Sequence, residues 1–169
     1  MTTGRKLHVT ARSDREIVIT REFDAPRRMV FDAMTKPELL KRWLGVFGGW
    51  ELAVCEIDLR VGGTYRWVWR QSSDGTEMGV RGTYREIVAP ERIVCTELFD
   101  DAWYPGEGLL TTTLTDQNGK TVLTLAIRYA SREARDGVLK SPMERGLAMS
   151  YDNLADLVEN AELRPAGSQ

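Results

Sequence analysis

Polar and apolar residues alternate from Ile17 to Phe23, which predicts a strand with Ile17, Ile19, Arg21 and Phe23 on one face. Asp24-Ala25-Pro26 then predicts a helix over 26–34, with Asp24 as a cap, Pro26 in the first turn, and Met29, Val30 and Ala33 inward. Thr35-Lys36-Pro37 restarts a second short helix to about Trp43, which Gly45, Gly48 and Gly49 end. From Trp50 to Tyr129 the chain reads as strands separated by turns. Tyr65, Trp67 and Trp69 place an aromatic ring at every second position, so all three share one strand face.

Turn residues fix the expected pairings. Asp74-Gly75, taken as a two-residue hairpin, sets Trp69 opposite Val80, Trp67 opposite Gly82 and Tyr65 opposite Tyr84. Asn118-Gly119 sets Leu114 opposite Leu123, Thr112 opposite Leu125 and Leu110 opposite Ile127. A third reversal falls at Ala89-Pro90-Glu91-Arg92, where Tyr84 and Ile87 can share a face only across a bulge. Beyond the strands, Ser131 caps a short helix to about Leu139. Ser141-Pro142 starts a long helix whose stripe is Met143, Leu147, Tyr151, Leu154, Val158 and Ala161.

That stripe needs a large apolar partner, and the sheet is the only one the pattern supplies. The expected fold is therefore α+β. A curved antiparallel sheet of about seven strands grips a long C-terminal helix, with two short helices after the first strand. Residues 1–15 read as a loose leader, 16–163 as a single domain and 164–169 as a flexible tail.

Composition narrows the function classes. The chain has 169 residues and a formal net charge of −2, with basic and acidic residues interspersed, so it carries no electrostatic footprint for nucleic acid. No apolar run is long enough to span a bilayer, and no secretory signal is visible. Cys55 and Cys95 read as two free thiols, which fits a cytoplasmic location. His8 is the only histidine, so neither a metal-ligand cluster nor a nucleophile–histidine pair is expected. No cofactor is expected either.

The candidate chemistry is a ligand wall. Tyr65, Trp67 and Trp69 offer planar area for stacking, with Val80 facing them from the next strand. Thr112, paired with Leu125, is the polar exception on an apolar face; it bonds either a ligand or a neighbouring group. Gly146, Leu147, Met149 and Tyr151 place the long helix over the same space. Asp58 and Arg60, before Gly62-Gly63, read as a clamp on a turn. Glu86 and Glu97 would meet across neighbouring strands if Ala89 pairs with Arg92, giving a carboxylate pair for acid–base work. The loop Trp103-Tyr104-Pro105-Gly106 reads as a surface loop, a lid or a dimer contact.

Several motifs resemble one family. They are Arg21-x-Phe23-Asp24-Ala25-Pro26, Val30-Phe31, Thr35-x-Pro37 and Trp43, then Glu56-Ile57-Asp58-Leu59-Arg60-Val61-Gly62-Gly63. Gly82-x-Tyr84-x-Glu86-Ile87, Pro90-x-Arg92-Ile93 and Thr121 continue the match. The ending Ser131-x-Glu133-Ala134-Arg135-Asp136, Met143-x-x-Gly146 and Ser150-Tyr151-x-x-Leu154 completes it. Over residues 17–160 the chain resembles the activator of Hsp90 ATPase homologue 1-like proteins of the START/Bet v 1-like (SRPBCC) superfamily. The resemblance implies a helix-grip fold with an internal cavity that often holds an apolar or aromatic small molecule.

The expected function is thus binding of such a molecule between the sheet and the C-terminal helix. A protein-interaction module related to Hsp90 co-chaperones is the alternative. The eukaryotic co-chaperone docks on Hsp90 through a further domain for which this chain has no room, so that interaction is disfavoured but left open. A cyclase- or hydrolase-like enzyme using the same cavity is the second alternative, disfavoured because no catalytic set is legible. Edge strands and the Trp103 loop leave a homodimer open.

Overall fold

Ile17, Ile19, Arg21 and Phe23 are all buried, as the alternation requires, on strand β2 (Glu16–Phe23). The computed structural model describes residues 6–102 and 104–160; Trp103, the tail 164–169, Ala161 and residues 1–5 of the leader lie outside them. The order of elements is β1 (His8–Arg12), β2, α1 (Arg27–Thr35), α2 (Pro37–Leu40), β3 (Trp50–Ile57), β4 (Thr64–Gln71), β5 (Glu77–Val88), β6 (Arg92–Phe99), β7 (Gly108–Gln117), β8 (Lys120–Arg128), α3 (Arg132–Lys140) and α4 (Met143–Glu159). All strands join one antiparallel sheet in the order β1-β2-β8-β7-β6-β5-β4-β3. Among the described residues no helix is long and apolar enough to cross a membrane.

The sheet has eight strands rather than about seven. The extra strand is β1, in the segment expected to be a loose leader. Its sequence, His-Val-Thr-Ala-Arg, is almost wholly exposed, so burial left no alternation to read; backbone pairing from His8–Thr20 to Arg12–Glu16 holds it.

The Asn118-Gly119 hairpin has the expected register, with Leu114 opposite Leu123 and Thr112 opposite Leu125. The Asp74-Gly75 hairpin does not. Gln71 N–H donates to the Thr76 carbonyl, so four residues make the loop, and Asp74 Oδ1 accepts from Thr76 N at 2.9 Å. Every pair moves by two residues: Trp69 faces Met78, Trp67 faces Val80 and Tyr65 faces Gly82. A two-residue slip keeps each side chain on its face, so the aromatic surface survives the change. The expected bulge lies between Tyr84 and Glu86; beyond it Ile87 pairs with Ile93.

α1 starts one residue late, with Pro26 at its N-cap position, and it buries Val30, Phe31, Ala33 and Thr35. α2 ends at Leu40, and turns carry the chain on through Trp43. Ser131 caps α3 by accepting from Ala134 N at 3.0 Å. α4 begins at Met143, and Ser141 Oγ accepts from its backbone N–H. Tyr151, Leu154, Ala155, Leu157 and Val158 of α4 are buried. Ser150 Oγ accepts from Gly45 N at 2.9 Å and Asn153 Nδ2 donates to the Val46 carbonyl at 2.9 Å, so the loop after α2 holds the helix in place.

Candidate functional site

A cavity of about 530 Å³ lies between the sheet and α4. Tyr65 and Trp67 of β4 supply one wall, their ring centroids 4.4 Å apart. Tyr84 of β5 extends it, 5.6 Å from Tyr65. β6 contributes Ile93, Cys95, Glu97 and Phe99, which are alternate residues and hence one face. Leu110 and Thr112 of β7, with Leu125 and Ile127 of β8, form the floor. Leu147 and Tyr151 of α4 cover it, beside Trp43 and Leu44. Its exposed lining residues are Met78, Asp101 and Pro142, which mark where it meets solvent.

The corner before β4 positions this wall. Arg60 Nε donates to Asp58 Oδ2 at 2.9 Å, with both side chains exposed. Gly62 N–H donates to the Tyr84 carbonyl at 2.8 Å, and Tyr84 N–H returns a bond to Gly63 O at 2.9 Å. Gly62 has φ +87° and a Cβ on Gly63 would collide with the Asp58 carbonyl, so both positions need glycine. The turn thereby fixes Tyr84, whose ring lies in the cavity wall.

Six of the ten candidate site residues come together around the cavity: Tyr65, Trp67, Thr112, Leu125, Leu147 and Tyr151. Four do not. Trp69 shares the face of Tyr65 and Trp67, but the loop after α2 covers it; its Nε1 donates to the Leu44 carbonyl at 2.9 Å and the indole packs against Gly45. Val80 is 1% exposed and filled in by the core. Gly146 faces the same loop, with Phe47 Cζ 3.7 Å from where a Cβ would stand. Met149 points to solvent.

Glu97 is the functional candidate that spacing alone undervalued. The carboxylate pair with Glu86 does not form, because the bulge turns Glu86 outward, where Arg92 Nε donates to it at 3.2 Å. Glu97 instead stands by itself among aromatic rings. Burial alone pushes its carboxyl up to about 7, and among the described residues no ion pair or hydrogen bond offsets that effect. The legible signal was the alternation Ile93-x-Cys95-x-Glu97-x-Phe99, one acid on an apolar face.

The phenols and the thiol that line the cavity are neutral. Burial raises the Tyr65, Tyr129 and Tyr151 phenols well above their ordinary value and Tyr104 to about 12. Burial also takes the Cys95 thiol up to about 12 and the Cys55 thiol to about 11, so neither is a ready nucleophile. Trp67 Nε1 is buried and has no hydrogen-bond partner among the described residues. Among the described residues no group of three or more His, Cys, Asp or Glu side chains could hold a metal ion.

Residues 24–159 match the family described as activator of Hsp90 ATPase homolog 1-like protein. A crystal structure of a Rhodobacter sphaeroides protein is 30% identical, with a TM-score of 0.85 over 91% of this chain and 98% of that one. A Chromobacterium violaceum protein is 31% identical, with a TM-score of 0.73 over 86% of this chain and 98% of that one. A Mycobacterium smegmatis protein, 22% identical, shares the fold with a TM-score of 0.79 over 91% of this chain and 98% of that one. No curated protein matches the sequence.

Proposed function

Because the chain belongs to the activator of Hsp90 ATPase homolog 1-like family and has its helix-grip fold, we propose that it binds an apolar or aromatic small molecule between sheet and α4. The observation that carries this reading is the cavity itself. At about 530 Å³ it falls inside the range of about 300–1,000 Å³ typical of small-molecule sites. Such sites combine apolar walls with a few placed polar groups, and here Tyr65, Trp67, Leu125 and Leu147 supply the walls while Thr112, Tyr151 and Glu97 supply the polar atoms. Affinity comes from removing the ligand's apolar surface from water and from stacking on Trp67, which Tyr65 backs.

N-phenyl-1-naphthylamine, a neutral dye that brightens on leaving water, tests the reading. Saturable one-to-one binding is expected. Leu147→Trp fills the cavity from α4 and is expected to abolish that binding with the circular dichroism unchanged. No saturable binding to the native chain, or undiminished binding to a folded Leu147→Trp, overturns it. Native mass spectrometry of protein purified from its own host then weighs the resident molecule.

A further inference from the structure

We propose that the cavity is built for an aromatic or apolar amine in its protonated form, whose ammonium group pairs with the Glu97 carboxylate while its ring stacks on Trp67. This rests on the cavity being a binding site and adds the charge class of its occupant.

Three observations carry it. First, among the described residues Glu97 and Asp101 are the only charged ones lining the cavity, and no lysine, arginine or histidine lines it. Once ionised, Glu97 there repels a carboxylate ligand and attracts a cation. Second, Glu97 has no ion pair or hydrogen bond among the described residues, although exposed carboxylates nearby do: Asp100 takes two bonds from Arg66, at 2.7 and 2.6 Å. An uncompensated carboxylate in an apolar wall is costly unless something pairs with it, and an ammonium ion would do so. Third, the surroundings of Glu97 are aromatic. Its charge is felt by Tyr65 on β4, Tyr104 in the loop after β6, Tyr129 after β8 and Tyr151 on α4. An anion set among aromatic residues suits a cation with an apolar body.

The other titratable groups do not compete for this role. Tyr65, Tyr84, Tyr104, Tyr129 and Tyr151 all have raised phenol pKa values, and Cys95, next to Glu97 on the same face of β6, is also held neutral. Asp101 is exposed, so water screens it.

Three ligands of one shape test the proposal: 1-naphthylmethylamine, 1-naphthalenemethanol and 1-naphthoate, titrated by calorimetry at pH 8. The amine is expected to bind the native chain about tenfold or more tightly than the alcohol, the scale of a hydrogen bond to a charged group, and the naphthoate weakest. Glu97→Gln is expected to bring the amine-to-alcohol ratio to about one. In the native chain the same ratio is expected to fall between pH 8 and pH 5, as the carboxylate gains its proton while the amine keeps its charge; this arm stands even if the variant fails to fold. A ratio near one at pH 8 in a chain that binds N-phenyl-1-naphthylamine overturns the proposal and leaves the cavity reading intact. A ratio kept in folded Glu97→Gln, or flat with pH, also overturns it. If the neutral dye fails to bind as well, both readings fall together.

Discussion

The Tyr65 ring crosses over Gly82 on the neighbouring strand, and its hydroxyl donates to the Thr96 carbonyl at 2.6 Å, one strand further on. Three strands are therefore tied by one side chain beneath the cavity. A Cβ on Gly82 would collide with both the Thr96 carbonyl oxygen and the Tyr65 ring. Gly82→Ala is expected to destabilise the fold by on the order of 2–4 kcal/mol in urea unfolding, because backbone on one side cannot yield. Tyr65→Phe keeps the ring over Gly82 and leaves a buried carbonyl unpaired, so a smaller loss of about 1–2 kcal/mol is expected.

Glu97 gives stability a pH dependence of known sign. Its carboxyl sits near 4.5 in the unfolded chain and is pushed up to about 7 in the fold, so the folded state holds the proton more tightly. Its contribution to stability is full below about 4.5 and is lost as the pH rises through 7. The native chain is expected to be less stable at pH 8 than Glu97→Gln, by on the order of 2–3 kcal/mol at most, since part of the side chain still reaches cavity water. Thermal melts of both proteins from pH 5 to pH 8 check this; parallel curves would show that Glu97 does not titrate in the fold.

How far the sequence reached depended on what each element buries. β2 was readable to the residue because Ile17, Ile19, Arg21 and Phe23 are all covered. β1 was not, because solvent accepts any residue on an exposed strand held by its backbone alone. Asn118-Gly119 set its register because Asn118 and Gly119 both take the positive φ of a two-residue turn. In the other hairpin only Gly75 does so, and the loop takes four residues. Trp69 had the right face and the wrong surroundings, since which end of an aromatic strand stays open depends on a loop distant in sequence. Glu97 was legible as the one acid on the apolar alternation of β6, but its separation from Glu86 depends on where the bulge falls between Tyr84 and Glu86.

Arg21 is 3% exposed and donates to Asp152 Oδ1 at 2.9 Å and to the Glu22 carbonyl at 2.7 Å, linking β2 to the helix over the cavity. Its guanidinium also lies 4.9 Å from the centre of the Phe23 ring. Asp152 is largely in water. The two ends of this pair are therefore unequal. Asp152→Asn is expected to cost less than about 1 kcal/mol, because the amide oxygen and water replace the carboxylate. Arg21→Ala is expected to cost about 3 kcal/mol or more, through lost packing and an opened seam against Phe23. Chemical denaturation of the two variants separates them.

Ser150 is buried on α4 and accepts from Gly45 N–H. Ser150→Ala leaves that N–H without its partner, at a cost of about 1–3 kcal/mol. Hydrogen exchange at Gly45 is expected to accelerate, and the loop over Trp69 to loosen with it. An unchanged exchange rate would mean that the Trp69–Leu44 and Asn153–Val46 bonds hold the loop without it.

The strand order has a consequence for synthesis on the ribosome. β3 to β8 are joined in sequence, each strand to the next, and can assemble as they emerge. β2 cannot; its only partner on that side, β8, lies about a hundred residues later, with Ile17 pairing Ile127. The nascent chain must carry the buried faces of β2 and α1 unpartnered through most of translation, and α4 arrives later still. The concave face thus stays open until the last helix is made, so a molecule that binds there during folding is enclosed without any element having to reopen.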